Sequence, residues 1–343
     1  MQEVWTFKCP SCGNALEYVP GTMSLQCPFC SRTVTEEEIR SLGEKAEDAA
    51  PSGEGMRSYH CQNCGAEIVT GETTAATRCY YCHSPVVLTD RLSHAFQPDG
   101  VIPFSKSRES AVEEFKTYLS KKHFLDKRFL SDDQLEMISG VYYPYFLGDF
   151  EGTGSFTGEG TRVSSFTRGQ TIYTTTKYYR VLRKGKLQFS NMQRSALRAA
   201  DRKLSDGIHP YRLQAMVPFS MAYLSEFLAE MRDIPPEEAE QEMNTEIQGY
   251  VPDLMKRNHT FQSLKGTASY IQEKSRLRYV LLPVWVLTYK GRTPDKPYYF
   301  LMNGQLGTVC GRLPLNRKKL LLCSALVGLV VAGLLCLGGA LLW

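Results

Sequence analysis

The chain has 343 residues, 43% of them apolar and 22% charged, with a formal net charge of +4. That is about twice the usual single-domain length, with a globular composition that excludes a disordered or collagen-like chain. Residues 1–90 carry 6 Lys/Arg against 12 Asp/Glu and residues 91–343 carry 34 against 24, so the chain is not a uniformly basic nucleic-acid coat.

Eight of the eleven cysteines lie in the first 82 residues, as the pairs Cys9/Cys12, Cys27/Cys30, Cys61/Cys64 and Cys79/Cys82. Fourteen residues separate the inner cysteines of each set, and adding 52 maps the first set onto the second. This is an internal duplication. Two intervening residues let a tight turn aim both thiolates at one ion, and a second such turn completes a tetrahedron. The spacing predicts two four-cysteine zinc ribbons, over 1–34 and 58–90, each with a closed, structural Zn2+. Gly13 and Gly65 follow a knuckle, where the turn needs positive φ. His60 and His83 stand beside ligand cysteines and read as bystanders. The opening MQEVWTFKCPSC has neither a charged nor an apolar leader region, so the cysteines are expected in a reducing compartment. A ribbon of this size has no core of its own, and its folding leans on the metal. The acidic setting favours docking to protein over phosphate. Between the ribbons, Thr35–Ala50 reads as an acidic helix or linker (35–57), with Thr35 and Glu38 in capping-box spacing.

Residues 91–315 read as a cytoplasmic α+β domain. VIPF (101–104) suggests a strand, and Arg108–Lys122 a helix with Ala111, Val112, Phe115 and Leu119 on one stripe. Ser131–Ile138 suggests a short helix. From Gly140 to Ser190 the Thr/Tyr/Val-rich, glycine-punctuated segments read as successive hairpins. Ser220–Arg232 and Pro235–Arg257 read as helices, followed by strands in LRYVLLPVWVLTYKG, KPYYFLMNG and QLGTVCGRLP, with a turn at Asn303-Gly304. VIPFS and MVPFS (216–220), and YYPYFL (142–147) and LLPVWV (281–286), echo one another, suggesting two related halves.

No motif for a metalloprotease, a serine hydrolase or a nucleotide-binding loop is present, and His94, His123, His209 and His259 have no partners at ligand spacing. The expectation is a non-enzyme; an enzyme with an unrecognised site is the weakest reading. Residues 160–203 carry eleven Lys/Arg and one acid, with Phe166, Tyr173, Tyr178, Tyr179 and Phe189 interleaved. This stretch suits nucleic acid, an anionic lipid or partner surface, or a solvated hairpin answering the acidic stretch 226–246.

Leu320–Trp343 is uncharged over 24 residues, enough as a helix to cross a bilayer core of about 30 Å. With Arg312, Arg317, Lys318 and Lys319 in the basic flank, 316–343 reads as a single-pass tail anchor in the cell membrane, the rest facing the cytoplasm. Ser324, Gly328, Ala332, Cys336 and Ala340 recur at every fourth residue, a spacing that suits a second transmembrane helix. The expected fold class is thus two small β ribbons, an α+β domain of two halves, and one C-terminal transmembrane helix.

The strings FKCPSCGNALEY, YHCQNCGAEI, VYYPYFLGDFEG and YYFLMNGQLGTVCGRLP, with the apolar terminus, resemble bacterial TFIIB-type double zinc-ribbon membrane proteins, some loosely called primosomal helicase-like. The resemblance implies the eight cysteines as zinc ligands and no catalytic residue. It also implies soluble partners of the SPFH (flotillin-like) or phage-shock protein A type under envelope stress. The reading that follows is a membrane-anchored adaptor that docks soluble proteins, with a membrane-tethered nucleic-acid binder using 160–203 as the alternative.

Overall fold

A computed structural model describes residues 4–5, 7–35, 38, 57–61, 67–71, 73–79, 85–88, 97–122, 124, 138–290, 297–311 and 317–341. Sixteen strands are present among them: β1 (Val4–Trp5), β2 (Glu17–Val19), β3 (Ser24–Gln26), β4 (Thr33–Val34), β5 (Arg57–His60), β6 (Glu67–Thr70), β7 (Thr74–Arg78), β8 (Pro85–Leu88), β9 (Gly100–Val101), β10 (Ser139–Arg168), β11 (Thr171–Ser195), β12 (Val217–Pro218), β13 (Leu228–Glu230), β14 (Ser263–Lys290), β15 (Pro297–Asn303) and β16 (Val309–Gly311). Four α-helices accompany them, α1 (Arg108–Ser120), α2 (Arg202–Gly207), α3 (Pro236–Lys256) and α4 (Arg317–Leu341).

Eleven strands form one mixed sheet whose path runs β1-β8-β7-β13-β10-β14-β15-β16. This corrects the expected separation of ribbons from body, because β1, β7 and β8, drawn from the cysteine-bearing region, are strands of the main sheet. β13 lies between β7 and β10, antiparallel to the first and parallel to the second. β2-β3-β4 and β5-β6 are small sheets of their own.

The segment read as several hairpins is one. β10 runs thirty residues, about 100 Å at 3.3 Å each, turns at Gly169 (φ 65°), and returns as β11. The interior glycines are not turns. A Cβ at Gly160 would lie 2.7 Å from the Phe261 ring, and one at Gly148 2.6 Å from the Met243 sulfur, so glycine makes room for large side chains lying over the strand. β14 lies on the other side of β10, from Ser139↔Val286 to Thr161↔Ser263.

The middle of this three-stranded ribbon is covered on one face by α3. Ala239, Met243, Ile247, Val251 and Met255 are buried at every fourth residue, the spacing that puts them in one row along a helix. α1 matches its expected stripe, burying Ala111, Phe115 and Leu119, and Ser107 caps it by accepting from Ser110 N. Ser220–Arg232 is not the expected helix. It forms a single 3-10 turn at Met221–Leu224 and then β13. VIPF contributes only Val101 to the two-residue β9, whose partners are β12 and β14. The echoed strings are ladder neighbours: Val101 pairs with Val217 and Tyr142 with Pro283. Asn303 closes the turn after β15, its Oδ1 accepting from Gln305 N and Leu306 N at 2.9 Å. Residues 131–137 of the expected helix at Ser131–Ile138 and most of Thr35–Ala50 lie outside the described residues. Thr35 N does donate to Glu38 Oε2 at 3.1 Å, as a capping box requires.

The expectation of a membrane span is also corrected. The terminus is helical over Arg317–Leu341, but among the described residues no helix is long and apolar enough to cross a membrane. The single-pass placement falls with it.

Candidate metal centre

Cys9, Cys12, Cys27 and Cys30 place their sulfurs within 4.8 Å of one another, a group that can hold a metal ion. Cys9 Sγ lies 3.6 Å from Cys30 Sγ, and Cys12 Sγ 3.4 Å from Cys27 Sγ. Four thiolates around one zinc at about 2.3 Å would stand about 3.8 Å apart, so the set fits with small adjustment.

Local chain geometry explains why. In the first knuckle Gly13 N donates to Cys9 O at 2.9 Å, and in the second Ser31 N donates to Cys27 O at 2.9 Å. Gly13 has the expected positive φ (76°) and Ser31, its counterpart, has φ 59°. Burial opposes ionisation of Cys9, yet N–H groups of Ser11 and Cys12 hold its thiol down to about 6. Cys27 is lowered mainly by the N–H of Cys30. The N–H of Asn14 also favours the Cys12 thiolate, but burial and the three neighbouring sulfurs push it up to about 12. Four thiolates crowd one another, and a divalent cation at their centre would relieve the repulsion.

The ribbon is embedded on one side. Leu16, Tyr18, Leu25 and Val34 are buried in the main core. Tyr18 meets Tyr223 edge-on at 5.5 Å and Phe227 at 6.2 Å. Phe227 in turn stacks on Phe104 at 3.9 Å, and Gly21 N donates to Phe104 O at 3.0 Å. On the opposite side, Phe29 stands between Cys27 and Cys30 with 77% of its surface exposed.

In the second set Cys61 and Cys79 are buried with Tyr59, Ile68, Val86 and Leu88 in a small cluster of their own. Cys64, Cys82, Gly65 and His83 lie outside the described residues, and His60 is exposed. Arg78, next to Cys79, joins the parts. Its Nη2 donates to Glu226 O at 3.0 Å, and its Nη1 lies 3.6 Å from Glu17 Oε1 of β2. Burial, then the like charge of Glu17, raises Glu226 to about 7 against the pull of Arg78. Sequence reading missed this junction, since nothing in spacing links residues 17, 78 and 226.

The basic stretch 160–203 divides in two. Arg198 pairs with both Glu238 oxygens at 2.8 and 2.5 Å, and Arg202 reaches Glu246 at 3.3 Å. Arg194, buried, ion-pairs with Glu246 and lies 3.7 Å from Glu242. Burial works against the Glu246 carboxylate, but the Tyr250 hydroxyl, Arg194 and Arg202 hold it below its ordinary range. The inner third therefore answers the acidic stretch of α3, as the solvated-hairpin reading expects. Farther out, Arg162 lies over the rings of Tyr179 and Phe261 at 5.6 and 5.2 Å, and Phe166 stacks on Tyr173 at 5.2 Å. His209 sits between Tyr145 and Tyr211 at 5.5 and 5.6 Å, its pKa lowered by burial.

The chain is similar to the uncharacterized protein YdjG of Bacillus subtilis (strain 168), at 30% identity over 316 residues, 92% of this chain and 91% of that one. It belongs to the YdjG family. No family model matches the chain, and no solved structure matches it. The match extends over nearly the whole length of both chains.

Proposed function

We propose that this YdjG-family chain is a non-enzymatic docking protein. Zinc at Cys9, Cys12, Cys27 and Cys30 holds a rigid surface for a soluble protein partner, and a second zinc is held by Cys61, Cys64, Cys79 and Cys82. The observation that carries this reading is Phe29. A large ring is held out in solvent by a knuckle whose backbone is locked, while Phe7, Leu16, Tyr18 and Leu25 of the same ribbon are buried. Rigid exposed aromatics bind protein at low entropic cost. The 1–90 segment is acidic, which suits protein better than phosphate. Partners of the SPFH or phage-shock type, suggested by resemblance, are the first to assay.

Nucleic acid is disfavoured by the inner hairpin, where Arg194, Arg198 and Arg202 are already answered by carboxylates. The test is co-purification of wild type and Phe29→Ala from native cells, with bound metal counted. A stoichiometric protein lost from Phe29→Ala at unchanged metal content supports the proposal. A partner that stays bound to Phe29→Ala, or recovery of nuclease-sensitive nucleic acid alone, overturns it.

A further inference from the structure

The two edges of the long ribbon are treated differently. On the β10 side, pairing with β14 ends at Thr161↔Ser263, but the edge is still closed beyond it. Gln262 N donates to Thr161 O at 2.9 Å, and its side-chain amide then acts as a further strand residue. Val163 N donates to Gln262 Oε1 and Gln262 Nε2 donates to Val163 O, both at 2.9 Å. On the other side, β11 pairs with β10 alone. Among the described residues, no backbone group of another strand meets its outer edge from Thr171 to Phe189. That leaves about 60 Å of open ladder.

An open edge is a template for another strand, and the side chains along it state which one. β11 contains no Asp or Glu. On one face Arg180, Lys184 and Lys186 alternate with exposed Tyr178 and Leu182, 67% and 66% accessible. Lys184 and Lys186 lie opposite Ser155 and Thr153 in the register; Arg180 alone faces a carboxylate-bearing residue, Glu159. A second copy laid antiparallel along this stretch would bring cations against cations, which is unfavourable for directly paired residues. A polynucleotide would use the basic groups and stacked rings but leave the backbone groups unmet.

We propose that the outer edge of β11, from Thr171 to Phe189, accepts an extended acidic segment of a partner protein by strand addition. Carboxylates of that segment lie beside Arg180, Lys184 and Lys186, and apolar side chains beside Tyr178 and Leu182. This surface is separate from the ribbon of Cys9–Cys30 and does not rest on the docking role given to Phe29.

The probe is a ten-residue peptide with three glutamates and two valines on one face and threonines on the other, spaced to oppose those five residues. Two controls accompany it, one with lysine in place of glutamate and one N-methylated at alternate, ladder-side amides. Hydrogen exchange of the full chain would be followed with each. The expected result is slowed exchange confined to alternate amides of 171–189 with the acidic peptide. The lysine and N-methyl forms should bind at least about tenfold more weakly, as should the acidic peptide to Arg180→Ser/Lys184→Ser/Lys186→Ser. That variant's exposed substitutions leave the hairpin folded, checked by circular dichroism. Equal binding of all three peptides, or of none, overturns the proposal. Protection of the same amides without peptide, rising with protein concentration alongside dimer mass, assigns the edge to a second copy. Binding of oligothymidylate without edge protection assigns the cations to nucleic acid.

Discussion

The first ribbon and the outer hairpin are both thin β structures, and they reach a single conformation by opposite means. In the ribbon, strands of two or three residues are pinned by four converging sulfurs and by Tyr18 sunk into the Phe104–Phe227 cluster. In the outer hairpin there is neither core nor cross-link. A run of ladder pairs from Gly160↔Tyr179 to Arg168↔Thr171 and the Phe166–Tyr173 stack hold it. The contrast teaches that exposure has different meanings in the two places. Phe29 is exposed on a support that cannot yield, whereas Ile172 or Tyr178 is exposed on an element whose edge is itself unfilled.

The comparison breaks most severely if the ribbon loses its cross-link. Cys27→Ser, or removal of metal by a chelator, is expected to unfold residues 7–34 at a cost of several kcal/mol, seen as a lost metal equivalent and a fall in Tm. The hairpin amides should keep their exchange rates. Next comes Tyr18→Ala, which leaves a cavity and should cost about 3 kcal/mol in chemical denaturation while metal content stays unchanged. If Tyr18→Ala also releases the metal, anchoring and ligation are a single unit.

At the hairpin base, Arg194→Ala leaves Glu246 without its buried partner and should cost about 2 kcal/mol. A pH effect follows from Glu226. Its folded value near 7 exceeds its ordinary one, so the folded state takes up a proton more readily. Stability should therefore be fullest at acidic pH and decline as pH rises from about 4.5 to 7. Glu226→Gln should flatten that slope, and a slope unchanged in the variant would move the cause elsewhere. The smallest effect is expected from Lys184→Ala, within about 0.5 kcal/mol, because its exposed side chain has no carboxylate partner among the described residues.

The metal-ligand set was legible because cysteine spacing is nearly a drawing of the site: Cys9, Cys12, Cys27 and Cys30 converge as their turns demand. α1 and α3 were legible from composition, Pro235 at the boundary and the row of apolar residues in α1. The hairpin was misread because glycine in sequence signals a turn, and only the rings of Phe261 and Phe150 reveal why Gly160 and Gly148 are there. The 220–232 segment was misread because β13 exists only by pairing with β7 and β10, a long-range cause with no local trace. The same holds for Arg194 and Glu246, fifty-two positions apart. At the C-terminus, uncharged length suggested more than the described helix supports.

The packing of Tyr18 on Tyr223 sets an order of events during synthesis. Roughly 200 residues separate the two, about 10–40 s of translation at 5–20 residues per second. Through that interval the Tyr223–Phe227 surface that covers Tyr18 is missing, and a metal ion at Cys9, Cys12, Cys27 and Cys30 would help hold β2, β3 and β4 together. Without a bound metal, this nascent chain would therefore present Leu16, Tyr18 and Leu25 to chaperones before Tyr223 and Phe227 exist to shelter them.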